Sequence, residues 1–407
     1  MTAGVVIVGA GQGGFQLAAS LRQDGFDRPV TLIGEEPGLP YQRPPLSKAY
    51  MADGAGERLV LKPAAFFERA GIERLAGLRV TAIDRAARRV ALSDGTQRDY
   101  VQLVLATGAR NMRPPLPGLD APRVLGLRTL ADAARLRAAL VLARAVVVIG
   151  GGFIGLEFAA MARQAGLGVT VIEAGERLMA RAVTPACSDW FAALHRAMGT
   201  DVRLGCAATG VETDAAGRAC AVTLADGGRV AGDLILVAAG VRPNVELAAE
   251  AGVSVDNGIV VDGCLRSSDP AIFALGDCAA FPLPGAGQVR FESVQAAVEH
   301  ARHIARAITT GAETAFAMVP WFWSDQGKAR LQIAGIAAGA DAVQRVPQAA
   351  EGGFMALAWA GDRLAAVETV GLAAQHVAAR RLIGAPRALI AAAGFDLRQA
   401  LLAGAER

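Results

Sequence analysis

Apolar and polar positions follow one pattern that occurs twice in this chain. The stretch AGVVIVGAGQGGFQLAASLRQDGFDRPVTLIGEE begins at Ala3, and AVVVIGGGFIGLEFAAMARQAGLGVTVIEAGE begins at Ala145. Each holds a Val/Ile-rich run, a glycine cluster, an amphipathic run and a second β-branched run. That order predicts strand, tight turn, helix and strand. The glycines keep register at an offset of 141 residues: Gly9 with Gly150, Gly11 with Gly152, Gly14 with Gly155. Between the repeats, strands are predicted over Val80–Ile83, Arg89–Leu92 and Val101–Ala106, and Pro114, Pro115 and Pro117 mark a linker. A matching strand runs from Leu234 towards Gly240, and Leu265–Ala280 holds another strand-like run. From about Pro320 the texture changes to short strands (Arg330–Ile336, Phe354–Trp359, Leu364–Val370) and a helical tail. The expected fold class is α/β: two Rossmann-like dinucleotide-binding domains plus a small α+β C-terminal domain. The expected bounds are 1–110 with 242–319, 111–241, and 320–407.

Composition narrows the classes. A chain of 407 residues can bury a sizeable core without disulfides or structural metals. With 41 basic and 38 acidic residues, it is neither a strongly basic nucleic-acid binder nor an acidic disordered chain. Residues 1–21 carry no side-chain charge, but they lack a basic n-region and contain five Gly and two Gln. Elsewhere charges interrupt every apolar run well before about 18 residues. The expectation is a cytoplasmic, monomeric protein that needs neither membrane nor nucleic acid. All five Cys lie within 187–278, with no C-x2-C or C-x4-C spacing, so neither a zinc site nor a C-x-x-C redox pair is expected. Lys48, Lys62 and Lys328 are the only lysines among the 41 basic residues.

The glycine clusters carry the chemistry. Each follows a strand, opens a helix and is followed by an acid at the end of the next strand, the context of a dinucleotide fingerprint. Small residues let the backbone approach a pyrophosphate, and the helix N-terminus supplies N–H donors and a positive dipole. In the second repeat Glu173 ends the strand, where a carboxylate can accept both ribose hydroxyls. Ala174 follows it, so nothing adjacent compensates a 2′-phosphate and NADH is favoured, although Arg177 and Arg181 lie nearby. In the first repeat Glu35 is assigned to a ribose, with Glu36 as the alternate.

ATGAR (106–110), AAGVRPN (238–244) and ALGDC (274–278) resemble motifs of two-dinucleotide flavoprotein reductases, the glutathione-reductase-like superfamily. That resemblance implies FAD and a nicotinamide nucleotide. Disulfide reductases of this type need paired Cys beside the flavin and NADH peroxidases a single one, yet no Cys precedes Cys187. The corresponding stretch reads Arg43-Pro-Pro-Leu-Ser-Lys48. PPLSKAY and PWFWSDQ (320–326) resemble segments of ferredoxin reductases that serve oxygenases, of the putidaredoxin-reductase type. The resemblance covers essentially the whole chain.

It implies catalytic roles for three residues. Lys48 would lie at the flavin N5/O4 edge and Glu157, on the first turn of the second glycine helix, near the nicotinamide amide. Trp323 would lie near the isoalloxazine face. It assigns Gly9, Gly11, Gly13, Gly14, Glu35, Lys48, Val80, Thr107, Gly108, Arg128, Gly276, Asp277 and Val294 to FAD. Gly150, Gly152, Ile154, Gly155, Glu157, Glu173 and Gly240 are assigned to NADH, and no residue to a metal. The chain has no Cys set for an iron–sulfur centre, so a [2Fe–2S] ferredoxin partner is implied, feeding a cytochrome P450 or a ring-hydroxylating dioxygenase. Residues 301–407 hold 11 Lys/Arg against 8 Asp/Glu, which is the whole +3 excess and could steer an acidic partner. A rubredoxin reductase, an NADH oxidase and a non-catalytic flavoprotein like apoptosis-inducing factor are the alternatives. His300 and His303, three apart on a helix without a third ligand, are expected at the surface.

Overall fold

The computed structural model describes residues 3–283, 285–348 and 352–405. The chain divides into two compact units, 1–43 with 55–110 and 241–318, and 44–54 with 111–240 and 319–407.

In the first unit, the strand Gly4–Val8 pairs in parallel with Val30–Gly34 on one side and Gln97–Leu105 on the other. Ile72–Ala76 extends the sheet beyond Val30–Gly34, and Ile272–Ala274 pairs in parallel with Gln97–Leu105. Gly4–Val8 is buried along its whole length, as a central parallel strand should be. This explains the uncharged start of the chain. The strand order reverses direction beside Gly4–Val8, and in such sheets ligands bind beyond the carboxyl ends of the strands at that point. The residues at those ends are Gly9, Glu35, Thr107 with Gly108, and Gly276 with Asp277. An antiparallel extension carries Arg89–Leu92 and Val80–Asp84.

The strand-like run held by Leu265–Ala280 is short. Asp262 Oδ1 accepts from the amides of Cys264 and Arg266, and Asp269 Oδ1 accepts from Ala271, so local side-chain turns break the run. Only Ile272–Ala274 joins the parallel sheet, before a 3-10 turn at Gly276–Cys278.

The second unit repeats the plan. Its parallel sheet runs Asp201–Arg203, Gly168–Ile172, Ala145–Ile149, Leu234–Val237, Val124–Leu125. The C-terminal region is a five-stranded antiparallel sheet in the order Trp321–Gln326, Ala329–Gly335, Arg363–Val370, Phe354–Ala360, Ala342–Arg345. The helices Ala373–Leu382, Arg387–Ala392 and Leu397–Ala405 close one side of it, around a core that includes Trp359, Leu357, Val367 and Leu397. PWFWSDQ thus forms an edge strand, Trp321–Gln326. Among the described residues no helix is long and apolar enough to cross a membrane.

Candidate functional site

The two glycine clusters fold alike. Gly9 has φ +114° and Gly150 φ +111°, conformations that L side chains rarely adopt. A methyl on Gly9 would stand 2.2 Å from the carbonyl of Ala106, and one on Gly150 2.4 Å from that of Ala238. The third glycine of each cluster packs on the first: a methyl on Gly14 would meet Gly9 O at 1.9 Å, and one on Gly155 would meet Gly150 O at 2.3 Å. The middle glycines differ. Gly11 and Gly152 cap the helices Gln12–Gln23 and Phe153–Gln164, neither helix has a side-chain cap, and a methyl on either would enter open space. Uncapped helix N–H groups facing open space at a sheet's switch point fit a pyrophosphate. Gly13 does something else. It is buried, and a methyl there would meet Leu275 at 2.4 Å, so its smallness serves helix packing against the 274–278 segment.

Further residues of the first unit gather at the same strand ends. Thr107 donates its hydroxyl to Asn244 O at 2.7 Å, and Asn244 donates back to Thr107 O at 2.8 Å and to Gly108 O at 2.9 Å. Asn244, which the sequence reading did not single out, therefore staples the ATG loop. Glu35 is exposed. Glu36 is held by Tyr41 and Arg43, each at 2.5 Å. The turn before Val80 rests on this end too, because Leu78 donates to Gly34 O at 3.1 Å. Gly276 takes φ +69° and donates its amide to His300 Nδ1 at 3.1 Å. Asp277 is half-buried on that turn, and Val294 opens the helix Val294–Thr310 behind its cap Ser293.

The surface expectation for the histidines fails. His300 is fully buried, edge-on to Phe281 and Phe316, and burial lowers its pKa to about 3. His303 is half-buried against Phe316. The helix face that carries them is the face that packs inward.

In the second unit Glu173 is prepared for a ligand. Its two carboxylate oxygens accept from Gly151 N at 2.7 Å and Gly175 N at 2.8 Å. Arg177 is committed elsewhere, donating to the carbonyls of Val183 and Ala180, both at 2.7 Å. Arg181 is exposed, as is the apolar Ile154 at the start of the second glycine helix. Gly240 has φ +101° just past the end of the strand Leu234–Val237. Arg128 belongs to this unit. Its backbone N–H joins that of Thr129 on Asp132, in the capping box of the helix Leu130–Leu140.

The three residues expected to be catalytic meet in one cluster of this unit. Glu157 is the fifth residue of its helix and so opens the second turn rather than lying on the first. Its side chain is 4% exposed and ion-pairs with Lys48 Nζ at 3.1 Å. Lys48 also reaches Asp325 at 3.2 Å and stands 5.9 Å from the centroid of the Trp323 ring. Glu157 Oε2 accepts from Ser47 at 2.6 Å; Oε1 accepts from Ser324 at 2.7 Å and from the amide of Asp325 at 3.2 Å. A buried carboxylate is thus given both a counter-charge and several donors, which is what its desolvation requires. Ser47 and Ser324 lie inside the quoted motifs PPLSKAY and PWFWSDQ, but the sequence reading gave them no role of their own. Asp325 lies within PWFWSDQ and was findable there as the one acid. Among the described residues no His/Cys/Asp/Glu group could hold a metal ion.

Comparison with known proteins agrees with this plan. Residues 3–301 match the model described as pyridine nucleotide-disulphide oxidoreductase, and 321–403 match the reductase C-terminal model. The chain is similar to rhodocoxin reductase of Rhodococcus erythropolis, with 47% identity over 98% of this chain and 94% of that protein. Among solved structures it resembles the ferredoxin reductase for the CYP199A2 system of Rhodopseudomonas palustris, with a TM-score of 0.94 and 43% identity over 98% of this chain and 100% of that one. The reductase in the covalent putidaredoxin reductase–putidaredoxin complex also matches at TM-score 0.94, with 37% identity over 99% of both chains.

Proposed function

The chain belongs to the pyridine nucleotide-disulphide oxidoreductase family, a flavin- and nicotinamide-nucleotide-dependent class, and from that membership we propose that it is an NADH:ferredoxin oxidoreductase. In this reading residues 1–110 and 242–319 bind FAD, 111–241 bind NADH, and 320–407 complete the chain. The electron acceptor is a [2Fe–2S] ferredoxin that supplies a cytochrome P450 or a ring-hydroxylating dioxygenase. One observation carries the proposal: Lys48, Glu157 and Trp323, far apart in sequence, form a single ion-paired cluster beside the second glycine helix.

Bound FAD would supply a hydride acceptor and the ability to release electrons one at a time. The protein's own residues do the rest. The helix at Gly11 receives the FAD pyrophosphate, and the helix at Gly152 that of NADH. Glu173 would present its oxygens to the adenine-side ribose, and Ala174 beside it supplies no cation for a 2′-phosphate. Glu157 orients the nicotinamide end and holds Lys48 in place. By the resemblance Lys48 would hold its positive charge at the flavin N5/O4 edge. Trp323 excludes water there.

The test is an anaerobic titration with NADH, followed by cytochrome c reduction with and without a [2Fe–2S] ferredoxin. Bleaching of a bound flavin by NADH and fast cytochrome c reduction only with ferredoxin are expected. Equal rates without ferredoxin would overturn the partner, and faster transfer to rubredoxin would replace it. Lys48→Met should slow flavin reduction with FAD retained, since Glu157 keeps three hydrogen-bond donors; unchanged kinetics would remove Lys48 from the mechanism.

A further inference from the structure

A chain of buried polar side chains leads away from Glu157 into the interior of the second unit. Ser324 Oγ donates to Glu157 Oε1 at 2.7 Å. Gln326 Nε2 lies 3.3 Å from Ser324 Oγ and 3.4 Å from Met179 Sδ. His195 Nε2 lies 2.9 Å from Gln326 Oε1. Ser324, Gln326 and His195 are all fully buried.

The polarity of the chain is determined. A carboxylate only accepts, so the Ser324 proton must point at Glu157. The Ser324 oxygen then receives an N–H, which makes the Gln326 atom beside it the amide nitrogen. The Gln326 oxygen faces His195 and can only accept, so the His195 proton is on Nε2. That leaves His195 Nδ1 as a bare acceptor, and it is indeed buried without a partner. Burial also disfavours the imidazolium, lowering the His195 pKa despite the Gln326 bond. Three donors therefore point one way, from a neutral imidazole to a carboxylate. Aligned hydrogen bonds of this kind polarise one another.

Packing alone does not ask for this. The residue pattern places Ser324 and Gln326 on one face of the strand Trp321–Gln326, with Phe322, which packs against Phe153 at 4.6 Å between ring centroids. Apolar side chains at positions 195, 324 and 326 together would leave no unpaired polar group among the three. We propose that Ser324, Gln326 and His195 are positioning residues for the hydride step: they fix the rotamer and the charge of Glu157, and so the place of Lys48. None of the three touches a cofactor in this assignment. It rests on the reading that Glu157 and Lys48 act in flavin reduction.

The experiment is anaerobic stopped-flow reduction of the holoenzyme by NADH, separating the limiting rate from the NADH Kd. Ser324→Ala, Gln326→Leu and His195→Phe should each lower the limiting rate by up to about tenfold, the scale of one lost hydrogen bond. The Kd should move much less, and the flavin content should stay at wild-type level. His195→Gln, whose amide can replace the Nε2–H donor, should restore most of the rate. The Ser324→Ala/Gln326→Leu double variant should be no slower than Ser324→Ala alone, because Gln326 acts through Ser324. Additive losses, or an unchanged rate in Ser324→Ala, would overturn the proposal. Glu157→Gln is measured alongside. If it reduces as fast as wild type, the reading of the site itself falls and this inference with it. If Glu157→Gln is slow while Ser324→Ala and Gln326→Leu are not, only the positioning chain is wrong. Should the larger substitutions lose flavin, Ser324→Ala, which removes one oxygen, decides alone.

Discussion

Two backbone amides hold the Glu173 carboxylate where a ribose would meet it, at 2.7 and 2.8 Å. The acid is ordered before its ligand arrives, so little freedom is lost on binding. In the proposed reading, Glu173→Ala removes the acceptor for two hydroxyls, each bond to a charged group being worth about 1.5–3 kcal/mol. We expect the NADH KM to rise at least about a hundredfold, with FAD content unchanged, in steady-state assays with flavin quantified. Loss of FAD instead would mean that the two glycine helices serve the opposite nucleotides. His300 offers a second residue-scale test, read as stability. Its pKa falls to about 3 in the folded state, from an ordinary value of 6.5. Below pH 6.5 the unfolded chain binds a proton that the native one refuses, so stability is full above that value and declines as pH drops towards 3. The slope is about 1.4 kcal/mol per pH unit for this one group. Urea unfolding followed from pH 7.5 to 4.5 should show it. His300→Gln, which keeps an acceptor for Gly276, should flatten the acid branch by that amount.

The glycines within each helix start make an element-scale test. Gly152→Ala puts a methyl into space that is open in the protein, at φ −82°, which alanine adopts freely. Its fold should be as stable as wild type, while the space for a pyrophosphate shrinks and the NADH KM rises. Gly155→Ala is the contrast: its methyl would stand 2.3 Å from Gly150 O, forcing helix and strand apart. We expect its melting temperature to fall by several degrees, consistent with an overpacking cost of about 1–3 kcal/mol. Similar melting points for the two variants would refute the distinction. This element was readable from sequence because local spacing encodes it: strand, three glycines, helix, acid. The cluster around Glu157 was only half readable. Lys48, Glu157 and Trp323 came from motif resemblance, yet Ser47, Ser324 and Asp325 join them through pairings of residues 110 and more positions apart. Nothing local announces such pairs. The same holds for Glu368, whose buried carboxylate accepts both the amide and the hydroxyl of Thr184, the cap of the helix Pro185–Ala197. In sequence it is one more acid in a strand. His300 misled for the same reason: spacing put both histidines on one helix face, but only tertiary packing decides which face turns inward.

Charge belongs to the scale of the whole molecule. The total of +3 says little, but all of that excess lies in residues 301–407. In the structure several of its arginines are exposed, including Arg330, Arg363, Arg380 and Arg381. Arg380 is also stacked over Trp321 at 4.4 Å, which holds a charge next to an aromatic face. Arg330 and Arg363 are ion-paired with Asp325 and Asp362, so Arg380 and Arg381 would carry most of any attraction to an acidic partner, over a distance that salt shortens to about 10 Å at 0.1 M ionic strength. Raising ionic strength from about 0.05 to 0.5 M should therefore raise the KM for an acidic [2Fe–2S] ferredoxin several-fold through slower association. The limiting rate of flavin reduction at saturating NADH, measured anaerobically without an acceptor, should change little, because Glu157 is buried and Lys48 mostly covered, which weakens screening of their pair. Arg381→Glu, remote from that pair in sequence, should raise the ferredoxin KM at low salt and leave it near wild type at high salt. A KM that ignores both salt and charge reversal would mean that docking is not steered by this region, and the basic excess would then be an accident of composition.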